Sequence, residues 1–144
     1  MLKILSLTAV AATLIAAPAM AGDVNLTLTG VQARGGDLLA ALQTRDQFMQ
    51  HAGAYGERIA TPPAGTVRVT FHDVAPGDYS LSVLHDEDGD HDMKMGADGR
   101  PEEGWAMLNG QALRGRPTFD QVKFTVSASG DVNLTVPMDY PAAR

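Results

Sequence analysis

Between Asp86 and Asp92 five of seven residues are acidic: Asp86, Glu87, Asp88, Asp90 and Asp92. Carboxylates held this close in an ordered loop repel one another and favour a cation among them. In Asp86-x-Asp88-x-Asp90 the acids alternate, which is how the first half of an EF-hand loop converges three side chains on one hard ion. The match is partial. His91 stands where the sixth position takes glycine for a sharp turn, and Ala97 stands where the twelfth takes a bidentate glutamate. Glu102 or Glu103 can return as a distant ligand. The expected ion is calcium, held by Asp86, Asp88, Asp90 and Asp92; the alternative is a solvated acidic tip that keeps the loop soluble.

The same stretch carries a second set of donors. His85, His91, Met93 and Met95 fall within eleven residues, and imidazole with thioether suits copper, or zinc through the imidazoles. Each piece has a plainer role: His85 continues the alternation of Tyr79, Leu81 and Val83 toward a core face, and the methionines are natural loop-packing residues. A third possibility is a recognition surface built on Trp105, Arg114 and Arg116, residue types enriched at binding hot spots. Arg100, Arg114 and Arg116 also flank the acidic loop and can balance its charge. For catalysis the chain offers little. It has no nucleophile elbow, phosphate-binding glycine loop or zincin helix, and no cysteine at all. His72 with Asp73 is the one candidate acid–base pair, and neighbours on a strand face opposite ways.

The elements that must position these residues read as strands. Val24-Asn25-Leu26-Thr27-Leu28-Thr29, Thr66 to Phe71, and Asp78 to Leu84 alternate apolar with polar residues, so every second side chain lies on one face. The last of these strands buries Tyr79, Leu81 and Val83 and exposes Ser80 and Ser82. Leu38 to Thr44 is expected as a strand after the Gly35-Gly36 pair, and residues 45–55 as a helical turn or loop. Glu57 to Thr61 is expected as an edge strand ending at Pro62-Pro63, which cannot donate to a ladder. Pro76-Gly77 reads as a type II hairpin turn, and Ser129-Gly130 as the turn of a further hairpin joining Val122–Val126 to Val132–Val136. About seven short strands without a long amphipathic helix predict an all-β antiparallel two-sheet sandwich. Residues 85–119 carry no strand periodicity, and so long a connection is usually functional or ligand-stabilised.

At the N-terminus Lys3 precedes an apolar run from Ile4 to Ala17, Pro18 breaks it, and Ala19-Met20-Ala21 supplies the small-residue pattern that signal peptidase reads. Residues 1–21 are therefore expected to be a cleaved signal peptide, leaving residues 22–144 as one domain, periplasmic or secreted. The uninterrupted apolar stretch is shorter than the roughly 20 residues of a membrane span. Removing residues 1–21 takes away Lys3 alone among the charged residues, so the formal charge of −6 becomes −7. That balance argues against nucleic acid as a partner. An exported chain without cysteine must rest on packing, or on a bound ion, for its stability.

The chain also resembles a family of small exported bacterial proteins, domain-of-unknown-function family 2141. The matching segments are Thr70-Phe71-His72-Asp73-Val74-Ala75-Pro76-Gly77-Asp78-Tyr79, Val83-Leu84-His85-Asp86-Glu87-Asp88-Gly89-Asp90, Glu103-Gly104-Trp105-Ala106 and Gly115-Arg116-Pro117-Thr118-Phe119. The resemblance implies a sandwich of the immunoglobulin or prealbumin-like type and no particular activity. The residues and the resemblance together predict a non-catalytic exported binding or structural module of the cell envelope. Its acidic loop is expected to hold calcium; the alternatives are a copper or zinc protein and a protein–protein adaptor with a merely charged loop.

Overall fold

A computed structural model describes residues 20–142. The expected signal peptide thus lies outside the described residues except for Met20 and Ala21, which are exposed and in no strand or helix. The described residues are nearly all β. The strands are β1 (Gly22–Val31), β2 (Asp37–Gln43), β3 (Tyr55–Ala60), β4 (Gly65–Val74), β5 (Gly77–Asp86), β6 (Gly104–Met107), β7 (Lys123–Val126) and β8 (Val132–Pro137), with one helical turn, α1 (Phe119–Val122). Among the described residues no helix is long and apolar enough to cross a membrane.

Two sheets face one another across a single cluster of buried side chains. The smaller has the order β4-β1-β8, and the larger β3-β2-β5-β6, with β7 also on β5. Alternation explains the layering. Val24, Leu26 and Leu28 of β1 turn inward against Val67, Val69 and Phe71 of β4, and Leu38, Ala40 and Leu42 of β2 meet Leu81 and Val83 of β5 in the same core. On the outer face, the Thr70 hydroxyl donates to Asn25 Oδ1 at 3.0 Å and Asn25 Nδ2 donates to Asn133 Oδ1 at 3.2 Å, a polar rung across all three strands of the smaller sheet.

Both expected hairpins are replaced by crossings between sheets. β4 and β5, joined at Pro76-Gly77, lie in different sheets, and so do β7 and β8. β8 instead runs parallel to β1, Val24 facing Val132 and Leu28 facing Val136. The β4–β5 crossing is pinned by two phenols: Ala75 N–H donates to Tyr55 Oη and Tyr79 Oη donates to Ala75 O, both at 2.9 Å. Alternation marks which face of a strand is buried, and says nothing about which strand lies beside it.

β5 is the hub of the larger sheet. One edge pairs with β2 over residues 80–86; the other carries β7 along residues 77–80 and then β6 along residues 82–85. Two short turns cover its outer face. The 3-10 turn Arg45–Gln47 and α1, each with a capping box, dock on one another through a Phe48–Phe119 edge contact of 5.7 Å and an Arg45–Asp120 ion pair of 2.6 Å. Ser80, expected outside, is buried beneath this lid at 1% exposure. The stretch 85–119, expected to be structureless, holds the end of β5, all of β6, a small hairpin closed by Gly96 N to Arg100 O and Glu102 N to Lys94 O, and a second 3-10 turn at Gly110–Ala112. Four residues beginning in glycine are too few to show a period; what makes Gly104–Met107 a strand is its ladder to β5.

Candidate functional site

The acidic loop leaves the larger sheet at the end of β5, where the alternation turns His85 into the core and Asp86 to the opposite face. Asp86 is nonetheless only 2% exposed, because the loop folds back over it. Its Oδ1 accepts from Gly89 N at 2.8 Å and its Oδ2 from His91 N at 3.2 Å. These bonds need two left-handed residues, and Gly89 (φ 79°) and His91 (φ 61°) take that conformation. Position 91 therefore has the backbone of the expected glycine while carrying a histidine, a tolerable residue there. The chain then continues in short aspartate turns: Asp88 Oδ1 accepts from Asp90 N at 3.3 Å and Asp90 Oδ1 from Asp92 N at 2.9 Å.

Glu103 closes the other side. It sits just before β6, is 4% exposed, and accepts Glu87 N on Oε1 at 3.0 Å and Lys94 N on Oε2 at 3.2 Å. Two buried carboxylates thus gather four backbone N–H groups and hold the loop shut at both ends. Carboxylate oxygens of Asp86, Asp88 and Glu103 lie within 4.8 Å of one another. Each oxygen has about two acceptor sites, so the bonds to backbone leave lone pairs free for a cation. Calcium, with bonds of about 2.4 Å and a flexible coordination shell, suits an all-protein oxygen set better than magnesium, which demands near-ideal octahedral geometry at about 2.1 Å. The donor set is all oxygen, which suits a hard cation. Further oxygens, from water or backbone, would complete calcium's usual six to eight.

Of the residues expected to hold calcium, Asp86 and Asp88 come together, and Glu103 joins them as the distant ligand. Asp90 and Asp92 are exposed and outside that cluster. The imidazole and thioether set is not assembled. His85 is fully buried and both its ring nitrogens are engaged: Nε2 lies 2.7 Å from Gly35 O and Nδ1 lies 2.7 Å from Tyr140 Oη. A carbonyl only accepts, so Nε2 carries a proton; in the neutral ring Nδ1 then accepts from the Tyr140 hydroxyl, and Tyr140 Oη accepts Gln32 N–H at 3.1 Å. No lone pair of His85 remains for copper or zinc. The His91 ring is exposed, with Nε2 3.9 Å from Asp86 Oδ2, and Met95 is 52% exposed. Burial raises the Tyr140 phenol above its ordinary pKa, as expected of a buried hydroxyl used as a neutral donor.

Beside the loop lies a cleft of about 710 Å³ between the 94–102 hairpin and the C-terminal segment 139–142, with Trp105, Tyr140, Arg34 and Arg100 among its walls. Trp105 is half-buried on β6, and its backbone exchanges both hydrogen bonds with Asp139, at 2.8 and 2.7 Å. Arg114 and Arg116, expected to join Trp105, are exposed on the following loop and line no part of the cleft; Arg114 donates to the carbonyls of Gln111 and Leu113. The arginine that does belong here is Arg34. Its guanidinium lies 4.8 Å from the Tyr140 ring centre and pairs with Glu87 at 3.3 Å. Sequence reasoning missed Arg34 and Tyr140, whose segments carry no periodic signal. The candidate His72–Asp73 acid–base pair, disfavoured from the start because strand neighbours face opposite ways, is not formed: His72 Nδ1 is 3.0 Å from Asp23 Oδ2 on an exposed face, and Asp73 N donates to the same carboxylate.

No curated protein and no solved structure matches the chain. The sequence pattern of domain-of-unknown-function family 2141 matches residues 26–135, a span that runs from within β1 to within β8 and includes the acidic loop and Glu103. The chain belongs to that family of uncharacterised proteins conserved in bacteria.

Proposed function

We propose that this chain is a non-catalytic, exported binding or structural module of the cell envelope whose 86–103 loop is closed by a calcium ion. The observation that carries the reading is the meeting of Asp86, Asp88 and Glu103 oxygens within 4.8 Å, with two of the three residues buried. Carboxylates gathered in partly buried surroundings are repulsive by themselves and become favourable around a cation. Export rests on the pattern of residues 1–21, and places the domain where free calcium is high enough for a weak site.

Isothermal titration of calcium into metal-stripped mature protein tests the reading. Extracellular calcium modules bind with Kd of about 10⁻⁴ to 10⁻³ M, so about 1 mM calcium adds roughly 0.4–1.4 kcal/mol of stability. Asp88→Asn weakens the binding, and magnesium does less than calcium. Equal melting temperatures with calcium, magnesium and chelator would reject the site, and a response to copper alone would reject calcium as its ion.

A further inference from the structure

We propose that the cleft beside the loop binds a neutral saccharide, with Trp105 as the surface on which a sugar ring lies and the charged side chains around it as partners for hydroxyls. The proposal goes beyond the cation reading and does not require it.

The size, walls and rim of the cleft lead to this class. About 710 Å³ is room for a few sugar units. Asp98, Glu102 and Asp139 share the lining with Arg34 and Arg100, so both signs occur in one small space. A simple anion meets three carboxylates there and a simple cation two guanidiniums. Hydroxyls satisfy both: each donates to a carboxylate and accepts from a guanidinium, and those charge-assisted bonds are the stronger kind. Arg34 is already oriented, held over the Tyr140 ring with Nε bonded to Gln32 Oε1 at 2.7 Å. A guanidinium fixed in advance loses little freedom on binding.

A peptide is the competing occupant, and the backbone argues against it. Peptides taken up by strand addition need free rungs. Around the cleft the rungs are used: Trp105 exchanges both of its bonds with Asp139, Gly96 N donates to Arg100 O and Glu102 N to Lys94 O. Recognition is left to an indole, carboxylates and guanidiniums. The indole is itself supported, with Cζ3 and Cη2 packed where a side chain at Gly110 would stand. An apolar, polarisable ring face with planar polar groups at its edge complements the C–H face and the hydroxyl edge of a pyranose.

Trp105 is the sole tryptophan and reports on its own site. Maltotriose, cellotriose and triacetylchitotriose are titrated into the mature protein while its emission is followed, with trialanine as the peptide control, each in 1 mM calcium and in chelator. At least one trisaccharide gives a saturable change and trialanine gives none. Arg100→Ala, at an exposed position, weakens binding about tenfold, the loss expected for a charge-assisted bond, and leaves the melting temperature unchanged. Trp105→Ala abolishes the binding heat and Trp105→Phe retains part of it, which separates a lost platform from a lost fold. A response to trialanine alone, no response to any probe, or full affinity in Arg100→Ala overturns the proposal. Calcium heat without saccharide binding rejects the saccharide alone; saccharide binding without calcium heat rejects the cation alone.

Discussion

Replacing Glu103 by glutamine separates the two things its carboxylate does. It accepts Glu87 N and Lys94 N, and it lies within 4.8 Å of the carboxylates of Asp86 and Asp88. At 4.8 Å and an effective dielectric of about 20, the pair of buried carboxylates Asp86 and Glu103 repels by about 3.5 kcal/mol, and the pair with exposed Asp88 by less because solvent screens it. Glutamine removes both repulsions. It keeps one carbonyl oxygen, so one of the two N–H groups faces an amide NH₂ instead of an acceptor, a loss of about 1–3 kcal/mol. Without metal the variant should therefore be as stable as the parent or more stable by a few kcal/mol, most visibly at low salt, where Coulomb terms are least screened. For a domain of this size 1 kcal/mol is about 3–5 °C in Tm. The assay is thermal melting followed by Trp105 emission, in chelator and in 1 mM calcium. The parent should gain about 1–7 °C from calcium, and Glu103→Gln should gain nothing while melting no lower than the parent in chelator. A variant that melts several degrees lower in chelator yet keeps the calcium shift would show that Glu103 serves only the backbone and that the three carboxylates are not the ion site.

The remaining predictions concern the support of the site, the pH response and export. A Cβ on Gly104 would sit 2.2 Å from Tyr140 Cε1, so Gly104→Ala displaces the ring that bonds His85; a drop of about 1–3 kcal/mol in denaturant melts is expected, and an unchanged midpoint would contradict the packing. Three carboxyls are held below their ordinary value of 3.8: Asp23 first by Asp73 N–H and then by His72, Asp78 by Lys123, and Asp120 by Arg45. A depressed carboxyl contributes stability above its unfolded value and loses it as pH falls through the folded one. The melting temperature should thus fall less steeply with acid in Asp120→Asn than in the parent, and identical acid limbs would refute that contribution. The mature protein should begin at Gly22, after Ala19-Met20-Ala21; an intact Met1 on soluble envelope-fraction protein would exclude cleavage there.

What could be read along the chain is what depends on neighbours in sequence. The alternation at Val24–Leu28, Val67–Phe71 and Tyr79–Val83 sets which side chains face the core, since successive residues of a strand point to opposite faces, and these strands stand where the pattern put them. The spacing of Asp86 and Asp88 likewise marked a loop that folds on its own carboxylates. Pairing is a long-range property. The stretches around Pro76-Gly77 and Ser129-Gly130 have the composition of hairpin turns and yet cross between sheets, because β5 has β2 on one edge with β6 and β7 on the other, and β8 completes the smaller sheet beside β1. The same distinction divides the site. Alternating acids suggested Asp90 as a ligand, but it lies outside the group formed by Asp86, Asp88 and Glu103; Glu103 reaches the cluster only because β6 pairs with β5. His85 had the composition of a metal ligand until the fold brought it Tyr140, 55 residues away, and Gly35, 50 residues away. Local order in the chain determined faces and turns, whereas which buried polar groups meet, and hence which oxygens remain open to an ion, was decided by the tertiary structure, because each such meeting joins segments whose separation no local pattern records.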